Sequence, residues 1–138
     1  MFSTFRRGRL ACLAIISIAA FVTASPGRAD DGFPFGLEIM LDAAPQPGSK
    51  RLPTLEIGDS GETVVELWCK GGTGQFSVAG NTVIFAAGPL EDRACPGVRA
   101  QADDDLIAAL GQASTWRRQG DVVSFMGTRT LRFRINTN

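Results

Sequence analysis

Few residues in this chain could do chemistry. Its 138 residues include no His, no Tyr and three Cys. Without His, the Ser-His-Asp and Cys-His relays have no base, and most zinc sites lose a ligand. Paired carboxylates stay formally open for acid–base work, but no spacing singles out a pair. Asp103-Asp104-Asp105 invites calcium, yet no Asp-x-Asp-x-Asp-Gly loop is present. The run reads better as a helix cap with a solvated face. No catalytic, cofactor-binding or metal-ligating residue is therefore expected. What remains is a thiol pair, Cys69 and Cys95, and four candidate contact residues: Trp68, Arg117, Arg132 and Arg134.

The thiols depend on the compartment. Residues 1–29 have the layout of a secretory leader: Arg6, Arg7 and Arg9, then the apolar run Leu10–Val22, then Pro26 and a small-residue site at Gly27-Arg28-Ala29. The apolar run of 13 residues is short for a bilayer span. Cleavage after Ala29 is expected, with Val22-Thr23-Ala24 as a second possible site and a retained anchor as the alternative. Removal of residues 1–29 leaves a 30–138 unit with ten basic and fourteen acidic residues, a net charge of −4. That balance argues against nucleic acid and anionic membrane as partners. It also removes Cys12 and leaves an even pair, as an oxidising compartment favours. A Cys69–Cys95 bridge would enclose 25 residues and stabilise the fold by roughly 3–4 kcal/mol on a chain-entropy account. The alternative is two buried free thiols.

The elements that position these residues are mostly strands. Val64–Lys70 is β-branched and aromatic and reads as a strand. Gly71–Gly74 reads as the loop that ends it, and Gln75–Val78 and Thr82–Ala86 as the next two strands. A turn on Gly80-Asn81 pairs Val78 with Val83 and Phe76 with Phe85. A loop at Gly71–Gly74 pairs Cys69 with Phe76 and Leu67 with Val78. Val65, Leu67 and Cys69 then share the apolar face, and Glu66, Trp68, Lys70, Gln75 and Ser77 the outer one. Gly88-Pro89 reads as a break before Cys95.

Upstream, Phe35, Leu37, Ile39 and Leu41 alternate with less apolar residues and predict a half-buried strand. Ala43–Lys50, with Pro45, Pro47 and Gly48, is a loop. Arg51–Ile57 is a second strand, where Pro53 demands an edge or a strand start. Downstream, Asp103–Leu110 is the helix, with Leu106, Ile107 and Leu110 as its apolar stripe. Thr115–Gln119, Asp121–Met126 and Thr130–Ile135 form a second meander. A Gly120-Asp121 turn pairs Trp116 with Phe125 and Arg118 with Val123. A three-residue loop at Gly127–Arg129 pairs Phe125 with Leu131 and Val123 with Phe133. Trp116, Val123, Phe125, Leu131, Phe133 and Ile135 then face inward, and Arg117, Ser124, Arg132 and Arg134 outward. The fold class is mainly β within α+β: an antiparallel, barrel-like meander with one packed helix and one disulfide, in a single domain over 30–138.

Five motifs stand out: Cys69-Lys70-Gly71-Gly72, Ala94-Cys95, the Asp104, Leu106 and Leu110 spacing, Gly120-Asp121-Val122 and Leu131-Arg132-Phe133. Taken together, they resemble the META domain family, which includes the HslJ-like heat-shock proteins. The resemblance covers roughly Leu52 to Phe133. Trp68 and Lys70 stand where the family has Gly and Asn, and Glu91 and Arg93 where it has Thr and Met. The resemblance implies a small antiparallel β-barrel-like domain with a packed helix. It also implies an envelope or secreted setting linked to stress or drug tolerance, and no established catalysis.

The expected function is thus a non-enzymatic periplasmic or secreted binding or structural module. It would be monomeric, without a membrane span once the leader is cleaved. Its partner would be an envelope protein or another anionic species, met by an outer Arg117, Arg132 and Arg134 stripe or by Trp68. An ordinary solvated sheet face is the competing account of the arginines, and burial under the helix or the N-terminal strand that of Trp68. Two other functions compete: an inhibitor of an extracellular hydrolase, entering a cleft with the Ala43–Lys50 loop, and a barrel holding an apolar ligand. The many bulky aromatics argue for a solid interior over the latter.

Overall fold

The structure, a computed structural model, describes residues 32–91 and 93–137. The expected leader and its cleavage site lie outside the described residues. Eight antiparallel strands close into a barrel in chain order: β1 (Leu37–Leu41), β2 (Thr54–Ile57), β3 (Glu62–Glu66), β4 (Gly71–Ala79), β5 (Thr82–Leu90), β6 (Thr115–Gln119), β7 (Val122–Met126) and β8 (Thr130–Ile135). Pairing of β1 with β8, Ile39 opposite Ile135 and Leu41 opposite Phe133, completes the ring. One helix, α1 (Gly97–Gly111), separates β5 from β6.

Period-2 alternation sends one side chain in two to the interior. Ile39, Leu55, Ile57, Val65, Phe76 and Val83 are buried from the first five strands, and Val123, Phe125, Leu131 and Phe133 from the last two. Pro53 sits just ahead of β2, where its missing N–H costs no ladder bond, and its carbonyl accepts from Leu41 N at 2.8 Å. The Gly80-Asn81 hairpin pairs Phe76 with Phe85 and Val78 with Val83, as its turn residues predict, with Gly80 at φ +59°. The β6–β7–β8 meander likewise has the expected register: Trp116 opposite Phe125, Phe125 opposite Leu131, Val123 opposite Phe133.

The β5–β6 seam is thin. One residue pair, Thr82 with Thr115, joins the strands in register, flanked by Val83 N to Ser114 O and Trp116 N to Asn81 O, both 3.0 Å. The reason is connectivity. The chain leaves β5 at Leu90 and must return to the level of Thr82 before β6 can start. Helix α1 makes that return, about 22 Å at 1.5 Å per residue, and buries Leu106, Ala109 and Leu110 in the core.

Three expectations need correction. The strand through Cys69 stops at Glu66. Leu67–Lys70 is instead the turn, with Leu67 N donating to Lys70 O at 2.8 Å. The glycines after it belong to β4, with Glu66 opposite Gly71 and Val65 opposite Gly72. Cys69 therefore does not face Phe76. Here the glycines serve close approach, not a turn: a Cβ on Gly74 would lie 2.4 Å from Phe85 Cζ, and one on Gly72 would lie 2.7 Å from Pro89 O. Second, Gly88-Pro89 does not break β5. It lies opposite Thr73 alone, between the Gly74–Ala87 and Gly72–Leu90 pairs, as a bulge that tolerates proline. Third, the helix begins at Gly97, six residues before Asp103. Pro96 is its N-cap, with no side-chain capping bond and no acidic residue in the first turn.

Candidate functional site

The end of the barrel carrying the Leu67–Lys70 turn holds the covalent link. Cys69 and Cys95 are bonded, with their Cα atoms 6.0 Å apart. Behind the bridge, Asp103 is fully buried in mid-helix. Its carboxylate accepts the backbone N–H groups of Trp68 at 2.9 Å, Cys69 at 3.1 Å and Lys70 at 2.8 Å. Three converging N–H dipoles form an anion nest, here filled by the protein's own carboxylate. Arg93 donates to Cys69 O at 3.2 Å and lies 3.5 Å from Glu66, which also pairs with Arg51 at 3.0 Å. Arg93 Nε donates to the Glu91 carboxylate at 2.7 Å, and this bond, with the Glu91 and Glu66 charges, raises the Arg93 pKa, so its guanidinium is cationic at every working pH.

Asp103 is therefore an acceptor of loop N–H groups, not a helix cap. Sequence reasoning missed it because the helix start carries no capping signature. A signal existed: Asp103 stands three and seven residues before Leu106 and Leu110, on the apolar stripe, where an acid must find internal partners. The shifted turn also moves Trp68. It is 9% exposed and packed in the core, so it is not an outer-face contact, and its Nε1 finds no acceptor among the described residues.

The arginines split into two groups. On the outer face of the last three strands Arg117, Ser124 and Arg132 stand in one cross-strand row, the outer two about 10 Å apart at two strand spacings. They line a shallow hollow of about 420 Å³ with Gln119, Thr130, Val122 and Met126. Arg117 makes no salt bridge among the described residues. Arg132 lies 3.9 Å from Asp42, a loose contact between exposed groups. Arg134 lies outside the hollow and pairs with Asp42 at 3.3 Å.

A second, wider hollow of about 840 Å³ has the opposite charge. Glu38, Glu56, Val64 and Thr73 form its cross-strand row, with Asp59 and Glu62 at its rim. Among the described residues no group of three or more His, Cys, Asp or Glu is placed to hold a metal ion. No described helix is long and apolar enough to cross a membrane.

A closed eight-stranded antiparallel barrel with a crossover helix, stapled at one end by a disulfide, defines the class of protein. The META domain family model matches residues 36–136, and the chain belongs to that family. No curated protein and no solved structure gives a significant match.

Proposed function

We propose that the chain is an exported, non-enzymatic binding module that holds an anionic envelope partner on the outer face of β6–β8. The observation that carries this reading is the Arg117–Ser124–Arg132 row, in which Arg117 has no carboxylate partner among the described residues. Two guanidiniums flanking a hydroxyl can donate to several oxygens of one ligand. The barrel interior supports an outer site, because its volume is taken by side chains: Phe76 and Phe125 stack at 5.3 Å, and Phe133 meets Phe125 edge-on at 5.7 Å. The bonded cysteines and the absence of His remove the Cys-His and Ser-His relays.

The test is crosslinking in the intact envelope with the wild type, with Arg117→Glu/Arg132→Glu and with Arg134→Glu. The double reversal removes the attached species, whereas Arg134→Glu retains it. A species unchanged by the double reversal sinks the reading. Recovery of the chain from the cytosol with its leader still attached sinks the export half.

A further inference from the structure

The barrel end opposite the disulfide is filled by a ring that belongs to no strand. Phe33 lies four residues before β1. Its ring meets Trp116 edge-on at 5.1 Å and 90°, Phe76 at 5.3 Å and 62°, and Phe125 at 6.2 Å and 64°. Edge-to-face geometry at these distances is what an aromatic ring selects from aromatic walls. The walls are fixed without Phe33. Phe76 and Phe125 stack on each other at 16°, and each is held in a strand ladder. Trp116 is anchored by its Nε1, which donates to Gly80 O at 2.8 Å.

The strap that carries the ring buries Pro34 but makes few directional bonds to the barrel. Upstream of Phe33, among the described residues, one hydrogen bond ties it down, from Arg118 to Gly32 O at 3.3 Å. The bond from Phe35 N to Phe33 O is internal to the strap and moves with it. The strap joins the ladder only at Gly36, whose N donates to Ile57 O at 2.8 Å and whose φ of +74° turns the chain. Phe33 itself is half-buried, and Phe35, 40% exposed, covers it from outside at 4.7 Å.

We propose that this end of the barrel is a binding site for one uncharged aromatic ring, a benzene-sized apolar molecule. Phe33 occupies it in cis, and the ligand enters when the strap swings out about Gly36. A space walled by Phe76, Trp116 and Phe125 suits such a molecule once Phe33 leaves it. Self-occupancy lowers the apparent affinity by the fraction of time the slot stands empty. The site is independent of the Arg117–Arg132 face and stands or falls apart from it.

Toluene is the probe, and the two tryptophans are the reporters. Trp116 stands in the slot wall, whereas Trp68 lies at the far end against Asp103. In the wild-type chain, toluene shifts the Trp116 indole N–H resonance in a saturable way and leaves that of Trp68 in place. In Phe33→Ala the same shift saturates at a concentration at least ten-fold lower. Phe33→Val, which keeps more of the plug, gives the same ordering if the alanine variant does not fold. The proposal is overturned if the wild type shows no saturable shift up to the solubility limit of toluene. It is equally overturned if the wild type and the folded variants saturate at one concentration.

Discussion

The two ends of the barrel are closed by different physics. At one end, three N–H groups converge on Asp103, a disulfide ties the turn to the segment before the helix, and Arg93 bridges Cys69 O and Glu66. At the other, four aromatic rings pack around Phe33, and among the described residues one 3.3 Å hydrogen bond holds the strap upstream of it. Directional bonds to a buried acceptor specify one geometry, and loss of that acceptor strands every donor at once. Ring packing is graded: a smaller side chain loses contact in proportion to its size. The first end is built to be fixed, whereas the second tolerates exchange.

The sharpest way to break this contrast is at Asp103. Alanine there removes one acceptor and leaves three backbone donors at the Trp68–Lys70 turn without it. The bond from Trp68 is buried and those from Cys69 and Lys70 are part-buried. A stranded buried group costs about 1–3 kcal/mol and a part-buried one less, so urea unfolding is expected to show a loss of about 3–5 kcal/mol. Asp103→Asn keeps one acceptor oxygen and loses less. A loss below about 1 kcal/mol for the alanine variant would show that the nest does not hold the turn. Next in size is the bridge. Cys69→Ala/Cys95→Ala is expected to lose roughly 3 kcal/mol while retaining the barrel's far-UV spectrum. Asp103 and the bridge grip the same turn, so a double-mutant cycle between them should be non-additive by more than about 0.5 kcal/mol. Additive losses would mean that each acts on a separate part of the fold.

The same end was the least legible in the sequence, and the reasons are physical. Gly80-Asn81 and Gly120-Asp121 each sit at a turn with a glycine at φ +59°, so local turn chemistry decided those registers, and the face carrying Arg117, Ser124 and Arg132 followed. Gly71–Gly74 has the same composition but another purpose. Its glycines admit Phe85 and the Pro89 carbonyl from β5, contacts made across the sheet that no local window contains. That slip carried Cys69 and Trp68 to wrong positions. The disulfide survived it, because pairing by elimination needs only two cysteines in an oxidising setting, not their register. Phe33 had a faint signal, since it extends the alternation of Phe35, Leu37 and Ile39 by one more step. Its role becomes visible only when closure of β1 onto β8 completes the barrel.

A smaller effect tests the glycine account. Gly74→Ala places a Cβ 2.4 Å from Phe85 Cζ, so the ring must move or the strands must part. Overpacking of this kind costs about 1–3 kcal/mol. Pairing the change with Phe85→Leu should recover part of that loss, because the smaller side chain vacates the contact. No recovery would point to backbone conformation as the reason for the glycine.

The smallest stability change is expected at the aromatic end. Phe33 is half-buried, so Phe33→Ala should cost only about 1–1.5 kcal/mol, roughly half of what full burial of a Phe contributes. Thermal unfolding would register this as a fall of several degrees for a domain of this size. The amide signals of Trp68, Cys69 and Lys70 should not move, because their partner is Asp103, at the far end of β4 from the Gly80 turn. Trp116 should keep its bond to Gly80 O, since that bond lies outside the strap. A loss as large as that of Asp103→Ala would show that the strap is as deeply specified as the stapled end. The contrast between a fixed end and an exchangeable one would then be lost.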